Sequence, residues 1–394
     1  MTQGTEGFSR EAVQAQLSEI ESSGLYRRRV VHSGPQSVSV TVAGNELLNF
    51  CSNDYLGLAN DPRLAEAMCE AIQQYGVGSG ASPLVCGYSE AHEQLENQVA
   101  SLCKRDRALV FSSGYLANLA VSATLAPGRD DCIYQDRLNH ASIIDAAKLG
   151  NARLCRYSHS DIDGLRQMIA EPVRGKKLVV TDAVFSMDGD IARLADIAEI
   201  SREAGACLVV DDAHGLGVLG RDGGGTLEEL GLDQDAVPLM VATFGKAVGC
   251  SGAFVAGRED LVELLLQQAR PYIYSTAMPP ALAKTACRGI ELVKNEAWRR
   301  EKLRQLATSL DQALPRNGVL EGGCSPAIRP VIVGDASRAL ELSQALREEG
   351  ILVTAIRPPT VPANTARLRV TLSAAHEPKD LQQLLDVLGP AMVA

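Results

Sequence analysis

Between about residue 62 and residue 290 the chain alternates helical segments with seven short apolar runs, and this alternation restricts its fold more than any other feature. The runs are RALVFSSG, DCIYQD, RLCRYSH, KLVVTDAVFSMDGD, CLVVDDAHG, LMVATFGK and AFVAG. Strands this apolar need cover on both faces, and intervening helices supply it. The pattern predicts a layered α/β domain on a mainly parallel, seven-stranded sheet. Ahead of it, the spacing of Val13, Leu17 and Ile20 predicts a helix from about Arg10 to Arg29. SVSVTVAGNELLNF alternates and turns at Gly44-Asn45, as a hairpin does. After Trp298 the pattern changes to long charged helices interleaved with AIRPVIVG, ILVTAIRPP and ARLRVTLS, a smaller α+β domain. The expected division is residues 1–60 (helix and short strands), 61–294 (large α/β domain) and 295–394 (small α+β domain), and 394 residues are ample for two cores.

Charge and cysteine usage remove several classes of function. The formal net charge is -10, without a basic block of the kind phosphate backbones demand, which argues against nucleic acid. The dense basic run Arg27-Arg28-Arg29 reads, on its own, as the solvated end of the first helix. Ten cysteines are scattered with no C-x-x-C pair, so they read as reduced, mostly buried thiols rather than as disulfides or a metal site. The polar N-terminus does not read as a signal or transit peptide, and no apolar run approaches about 18 residues. The expectation is a cytoplasmic protein.

In open α/β sheets ligands collect at the carboxyl ends of strands. Here those ends carry chemistry. LVFSSGYLAN passes from a strand through Ser113-Gly114 into a helix, whose first N–H groups and dipole form an anion cradle. Other runs end in Ser186, in Asp211, Asp212 and His214, and in Thr243 and Lys246. Singly, each has an ordinary reading: a capping aspartate, a structural histidine, a solvated lysine. Jointly they match what pyridoxal 5'-phosphate (PLP) requires. That cofactor needs a lysine for covalent attachment, a carboxylate for its ring nitrogen and donors for its phosphate. The lysine must also be desolvated to lower its pKa, which suits the loop TFGKAVGCSG. Its glycines are expected to leave room for a flat ring.

One competing motif fails on context. GVGSGA, Gly76 to Ala81, fits the dinucleotide fingerprint G-x-G-x-x-A, but that motif must follow a strand and here it follows the helical stretch LAEAMCEAIQQY. A turn between helices accounts for it.

VDDAHGLGVLG, VFSMDGD, TFGKAVGCSGA and IYSTAMPP together resemble the α-oxoamine synthases, PLP enzymes of fold type I. The resemblance runs from FCSNDYLGLA to RLRVTLSAAHE and implies a decarboxylative condensation of an amino acid with an acyl thioester. TAIRPPTVPANTARLRVTLSAAHE and DRLNHASIIDAAKL are similar to the biotin-pathway branch, which joins L-alanine to a pimeloyl thioester of coenzyme A or acyl carrier protein. Branches using glycine or serine share the core motifs. The resemblance implies that Lys246 holds the cofactor, Asp211 pairs with its ring nitrogen, His214 meets its phenolic oxygen and His140 stacks on the ring. It further implies Gly114, Tyr115, Ser186 and Thr243 around the phosphate, and Ser275 and Thr276 reaching the neighbouring site of a homodimer. Arg369 is expected to bind the amino acid's carboxylate, with Arg27, Asn53, His140 and Thr360 contacting substrate. Pro83 and Cys86 depart from the residues expected in that stretch.

Overall fold

The computed structural model describes residues 6–23, 25–27, 29–314 and 323–393. Helix α1 (Arg10–Ser22) opens the chain, with Ser9 accepting the Ala12 N–H as its N-cap. It stops well short of Arg29. The Ser22 and Ser23 hydroxyls turn back to the carbonyls of Glu19 and Ile20, competing with helix continuation. Its apolar stripe is not covered: Val13, Leu17 and Ile20 are all exposed. Strands β1 (His32–Ser33), β2 (Ser39–Val42) and β3 (Asn45–Asn49) follow. The β2–β3 turn sits one residue earlier than the sequence suggests. Ala43 and Gly44 both take positive φ (50° and 83°), and Asn45 already pairs with Val42.

Helices α2 (Pro62–Tyr75) and α3 (Glu90–Cys103) lead into the large sheet, and GVGSGA lies between them. The sheet is built from β4 (Arg107–Phe111), β5 (Cys132–Asp136), β6 (Arg153–Tyr157), β7 (Lys177–Asp182), β8 (Cys207–Asp211), β9 (Leu239–Thr243) and β10 (Ala253–Gly257). Helices α4 (Gly114–Leu125), α5 (Ala141–Leu149), α6 (Ile162–Ala170), α7 (Leu194–Glu203) and the short α8 (Thr226–Glu229) connect its parallel members. Strand order is β4-β10-β9-β8-β7-β5-β6, with β10 antiparallel to both neighbours and the other pairs parallel. Alternate residues serve opposite layers. Leu208 and Val210 join one core while Val209 joins the other, as a sheet covered on both faces requires. Each such side chain contributes about 1.5–3 kcal/mol through burial.

Helices α9 (Glu259–Gln268), α10 (Arg270–Ile273), α11 (Pro280–Asn295) and α12 (Ala297–Ala313) carry the chain to the C-terminal region. There β11 (Ile328–Gly334), α13 (Ala336–Glu348), β12 (Ile351–Leu352), β13 (Thr354–Ile356), β14 (Ala366–Thr371) and α14 (Pro378–Val393) complete it. β14 is the centre of an antiparallel sheet, β11-β14-β13. β12 pairs in parallel with β3, Ile351 opposite Leu48, so the N-terminal strands share a sheet with the C-terminal segment. That pairing, with the Thr371 N–H bonded to the Phe50 carbonyl, brings residues 50–58 beneath the carboxyl edge of the large sheet.

Candidate active site

Four neighbouring strand ends supply the site's charged groups. β7 and β8 are in register with Asp182 opposite Asp211, which sets two carboxylates side by side at the same edge. Burial, then the charge of Asp211, pushes the Asp182 pKa well above the ordinary carboxyl range, and Asp182 accepts the His140 N–H at 2.6 Å. Asp211 accepts from its own turn, Ala213 N–H at 3.0 Å, and from Asn118 Nδ2 at 2.7 Å. The next residue, Asp212, points the other way and is consumed by Thr226, whose N–H and hydroxyl both reach it at 2.6 Å. Of the two adjacent aspartates, only Asp211 therefore faces the edge where Lys246 lies.

Lys246 follows β9 in a tight loop. Gly249 takes φ 72°, and a Cβ there would stand 2.6 Å from the Leu58 backbone. Gly252 likewise takes φ 100° beside Met278 and Phe111. These two glycines thus serve close backbone packing instead of leaving room for a ring; Gly245, whose nearest neighbour would be Thr243 Oγ1 at 3.4 Å, is the roomy one. Thr243 braces the loop, donating to the Gly252 carbonyl (2.8 Å) and accepting from Gly245 N–H (3.0 Å).

Lys246 Nζ lies 2.8 Å from His214 Nε2, and His214 Nδ1 lies 2.7 Å from Tyr55 Oη. Tyr55 donates to Asn53 Oδ1 at 3.0 Å, which fixes the direction of the chain: His214 Nδ1–H donates to Tyr55, and Nε2 accepts from the lysine. Arg369, from β14, donates to Asn53 Oδ1 through both Nη atoms at 3.2 Å, to Tyr55 Oη at 3.4 Å and to the Ser186 carbonyl at 2.6 Å. Burial, then the positive charges of Lys246 and Arg369, hold the His214 pKa well below the ordinary imidazole value, so this ring is neutral. Burial lowers the Lys246 amine to about 8 against the opposing pull of Asp211 and Asp182, with Arg369 adding to the depression. The Tyr55 hydroxyl is driven up to about 12 by burial and stays protonated. The arrangement is a neutral imidazole accepting from a weakened lysine base, with a guanidinium a few ångströms further on.

The donor set also suits a phosphorylated cofactor. Ser113 caps α4 by accepting Leu116 N–H, and Ala117 N–H reaches the Ser113 carbonyl, which leaves the N–H groups of Gly114 and Tyr115 without intrahelical acceptors. A Cβ at Gly114 would meet nothing within 4 Å, so the space before the helix is open. Asn118 Oδ1, beside Asp211, is buried without a hydrogen-bond partner. Both observations fit a bound ring and phosphate at this edge.

Among the expected residues, Lys246, His214, Asn53 and Arg369 form one bonded network, and Ser186 joins it through its carbonyl. His140 caps α5 with Nδ1 2.8 Å from Ser142 Oγ, which Asn118 links to Asp211. Thr360 and His140 line the same cavity. The Tyr115 side chain is exposed and bonds Asp145 at 2.7 Å. Arg27 lies exposed in the extended segment after α1, past the helix end rather than on it. Ser275 and Thr276 lie in the α10–α11 loop, with Thr276 exposed. Sequence reasoning missed Tyr55, Asp182 and Asn118. A helical period was the available signal for Asn118, four residues beyond Gly114 on the face that meets Asp211.

The model of the aminotransferase class I and II family matches residues 45–388. The 8-amino-7-oxononanoate synthase of Hahella chejuensis is 52% identical over 372 residues, 94% of each chain. That of Pseudomonas entomophila is 51% identical over 375 residues, 95% of this chain and 96% of the other. Among solved structures, a serine palmitoyltransferase from S. paucimobilis with bound PLP–myriocin aldimine superposes with TM-score 0.89 at 31% identity, covering 97% of this chain and 96% of that one. The 8-amino-7-oxononanoate synthase of Francisella tularensis superposes with TM-score 0.77 at 32% identity, over 88% and 98%. With a lysine, a carboxylate and an open helix N-terminus gathered at one sheet edge, and relatives more than half identical over nearly the whole length, the chain belongs to the aminotransferase class I and II family, in the group of the 8-amino-7-oxononanoate synthases.

Proposed function

We propose that the protein condenses L-alanine with a pimeloyl thioester, releasing carbon dioxide and the free thiol and forming 8-amino-7-oxononanoate for biotin synthesis. The observation that carries this reading is the Lys246 amine, lowered to about 8 and held 2.8 Å from a neutral His214 in a network that ends on Arg369. Lys246 would hold PLP covalently, Asp211 would hold its ring nitrogen, His214 its phenolic oxygen, and His140 would cover the ring face. The N–H groups of Gly114 and Tyr115, with Ser186 and Thr243, would take its phosphate. When bound, the cofactor supplies an electron sink for negative charge developing at the amino acid's α-carbon.

The remaining work belongs to side chains. Arg369 grips the alanine carboxylate with its planar fork, held by Asn53, Tyr55 and the Ser186 carbonyl. Gripping that carboxylate orients the α-hydrogen toward Lys246. The lysine Nζ, part neutral near pH 8, takes the α-proton and later returns one. His140, in the wall of the adjoining cavity, would donate a hydrogen bond to the acyl group as carbon dioxide leaves. Arg27 and Thr360 contact the acyl substrate. The working form is a homodimer, with Ser275 and Thr276 of the partner subunit completing each site. No helix among the described residues is long and apolar enough to cross a membrane, and we place the enzyme in the cytoplasm. Product analysis with alanine, glycine and serine against pimeloyl-coenzyme A tests the reading. Thiol release with alanine is the expected result; release with glycine or serine alone overturns it.

A further inference from the structure

Beside the lysine network lies a cavity of about 580 Å³, a size suited to a small extended ligand. His140 and Thr360 line it together with apolar side chains, among them Leu138, Ile144 and Val361. Two arginines, Arg137 and Arg156, line it as well. The carboxylate in its wall, Asp188, is bonded to Arg367 and so does not neutralise them. Arg156 Nη2 donates to the Arg137 carbonyl at 2.5 Å, which fixes the guanidinium, while its Nε is buried without a hydrogen-bond partner. That Nε is sealed from the cavity, but no carboxylate among the described residues pairs with either arginine, so their remaining guanidinium N–H groups are left to face a bound anion. Apolar walls with paired arginines are the complement of an aliphatic chain that ends in a carboxylate.

We propose that Arg137 and Arg156 form the subsite that reads the free terminal carboxylate of the acyl donor, selecting a dicarboxylic thioester over a simple fatty acyl one of equal length. The inference rests on the reading above, since the cavity is the acyl site only if His140 works on an acyl adduct. The carrier is not the anion in question. An extended seven-carbon chain spans only about 7–8 Å, so its far end stays within the cavity that holds His140, whereas a carrier's phosphates lie beyond a long flexible arm.

The test compares pimeloyl-coenzyme A, its monomethyl ester and heptanoyl-coenzyme A, with alanine as co-substrate, in the unaltered protein and in Arg156→Gln and Arg137→Gln. The unaltered protein should prefer the free acid by about 10- to 100-fold in kcat/KM over the ester and over heptanoyl. Each substitution should shrink that ratio toward one. Calorimetry gives a second readout independent of turnover: heptanedioate should bind the unaltered protein about 10-fold or more tighter than heptanoate, and R156Q should lose the difference. Retention of the preference in both variants overturns the proposal, as does an equal loss on all three thioesters, which would mean that the arginines grip the carrier. If no thioester reacts with alanine, the functional reading fails, and the calorimetric comparison still decides the arginine subsite.

Discussion

His214 and His159 follow strands of one sheet, and each engages two neighbours through its two ring nitrogens, yet they rest in opposite charge states. His214, after β8, is buried among Lys246, Arg369 and His140, and its pKa lies well below the usual value. His159, after β6, is held 3.1 Å from Asp136 by Nδ1 and 3.1 Å from Asp190 by Nε2. Burial alone would lower its pKa as well, but hydrogen bonds to the two carboxylates overcome this and raise it to about 10. Burial pushes both rings down, and most strongly the more deeply buried His214. The surrounding charge then separates them: beside Lys246 and Arg369 the ring stays neutral and accepts from the Lys246 amine, and between two carboxylates it is a cation at neutral pH that ties the end of β5 to the loop holding Asp190.

The sharpest way to break this contrast is on the catalytic side. Lys246→Ala should lower turnover about 10⁴-fold and abolish covalent cofactor attachment, read as the loss of the visible absorption band, while leaving the urea midpoint nearly unmoved. The converse holds for the brace. His159→Leu leaves Asp136 and Asp190 facing each other without a cation and should cost about 3–5 kcal/mol in urea unfolding at pH 7. Asp190→Asn in the same chain should recover part of that loss.

The brace also carries a pH signature. The folded pKa of His159 is raised above its ordinary 6.5, so its stabilisation is complete below about pH 6.5 and fades as pH rises through about 10. Urea midpoints of the unaltered protein should fall over that window by more than those of His159→Gln; parallel curves would remove His159 from the account. For the lysine, the rate at which the cofactor-free protein is labelled by pyridoxal phosphate should rise with a midpoint near pH 8, not 10.5. The smallest effect is expected at the relay. Tyr55→Phe should slow alanine α-hydrogen exchange about tenfold and shift that labelling midpoint, since His214 Nδ1 loses the acceptor that sets its tautomer.

Local sequence displayed the strand ends well because their residues act where the chain leaves the sheet. Asp211, His214 and Lys246 could be picked out from the runs that precede them. Partners contributed from afar were hidden. Asn118 meets Asp211 across 93 residues, and Tyr55 meets His214 across 159, separations over which periodicity carries no information. Nothing in the stretch SNDYLGL singles out Tyr55. The same limit explains the glycines of TFGKAVGCSG, whose need for positive φ at Gly249 arises from the Leu58 backbone packed against them. His159 carries no local signal of its role, because its two carboxylates come from elsewhere in the chain, Asp136 from the end of β5 and Asp190 from the loop after β7.

The pairing of β12 with β3, and of Arg369 with Asn53 across 316 residues, has a consequence for how the molecule is made. The seven strands of the large sheet are all present once Gly257 has left the ribosome, but Arg369 emerges roughly 100 residues later, a delay of roughly 5–20 s at ordinary synthesis rates. During that interval Asn53 and Tyr55 wait without the guanidinium that fixes them, and the N-terminal hairpin waits without its fourth strand. A nascent chain stalled in that interval would hold a finished sheet and an unfinished catalyst, so commitment to activity comes last in its biogenesis.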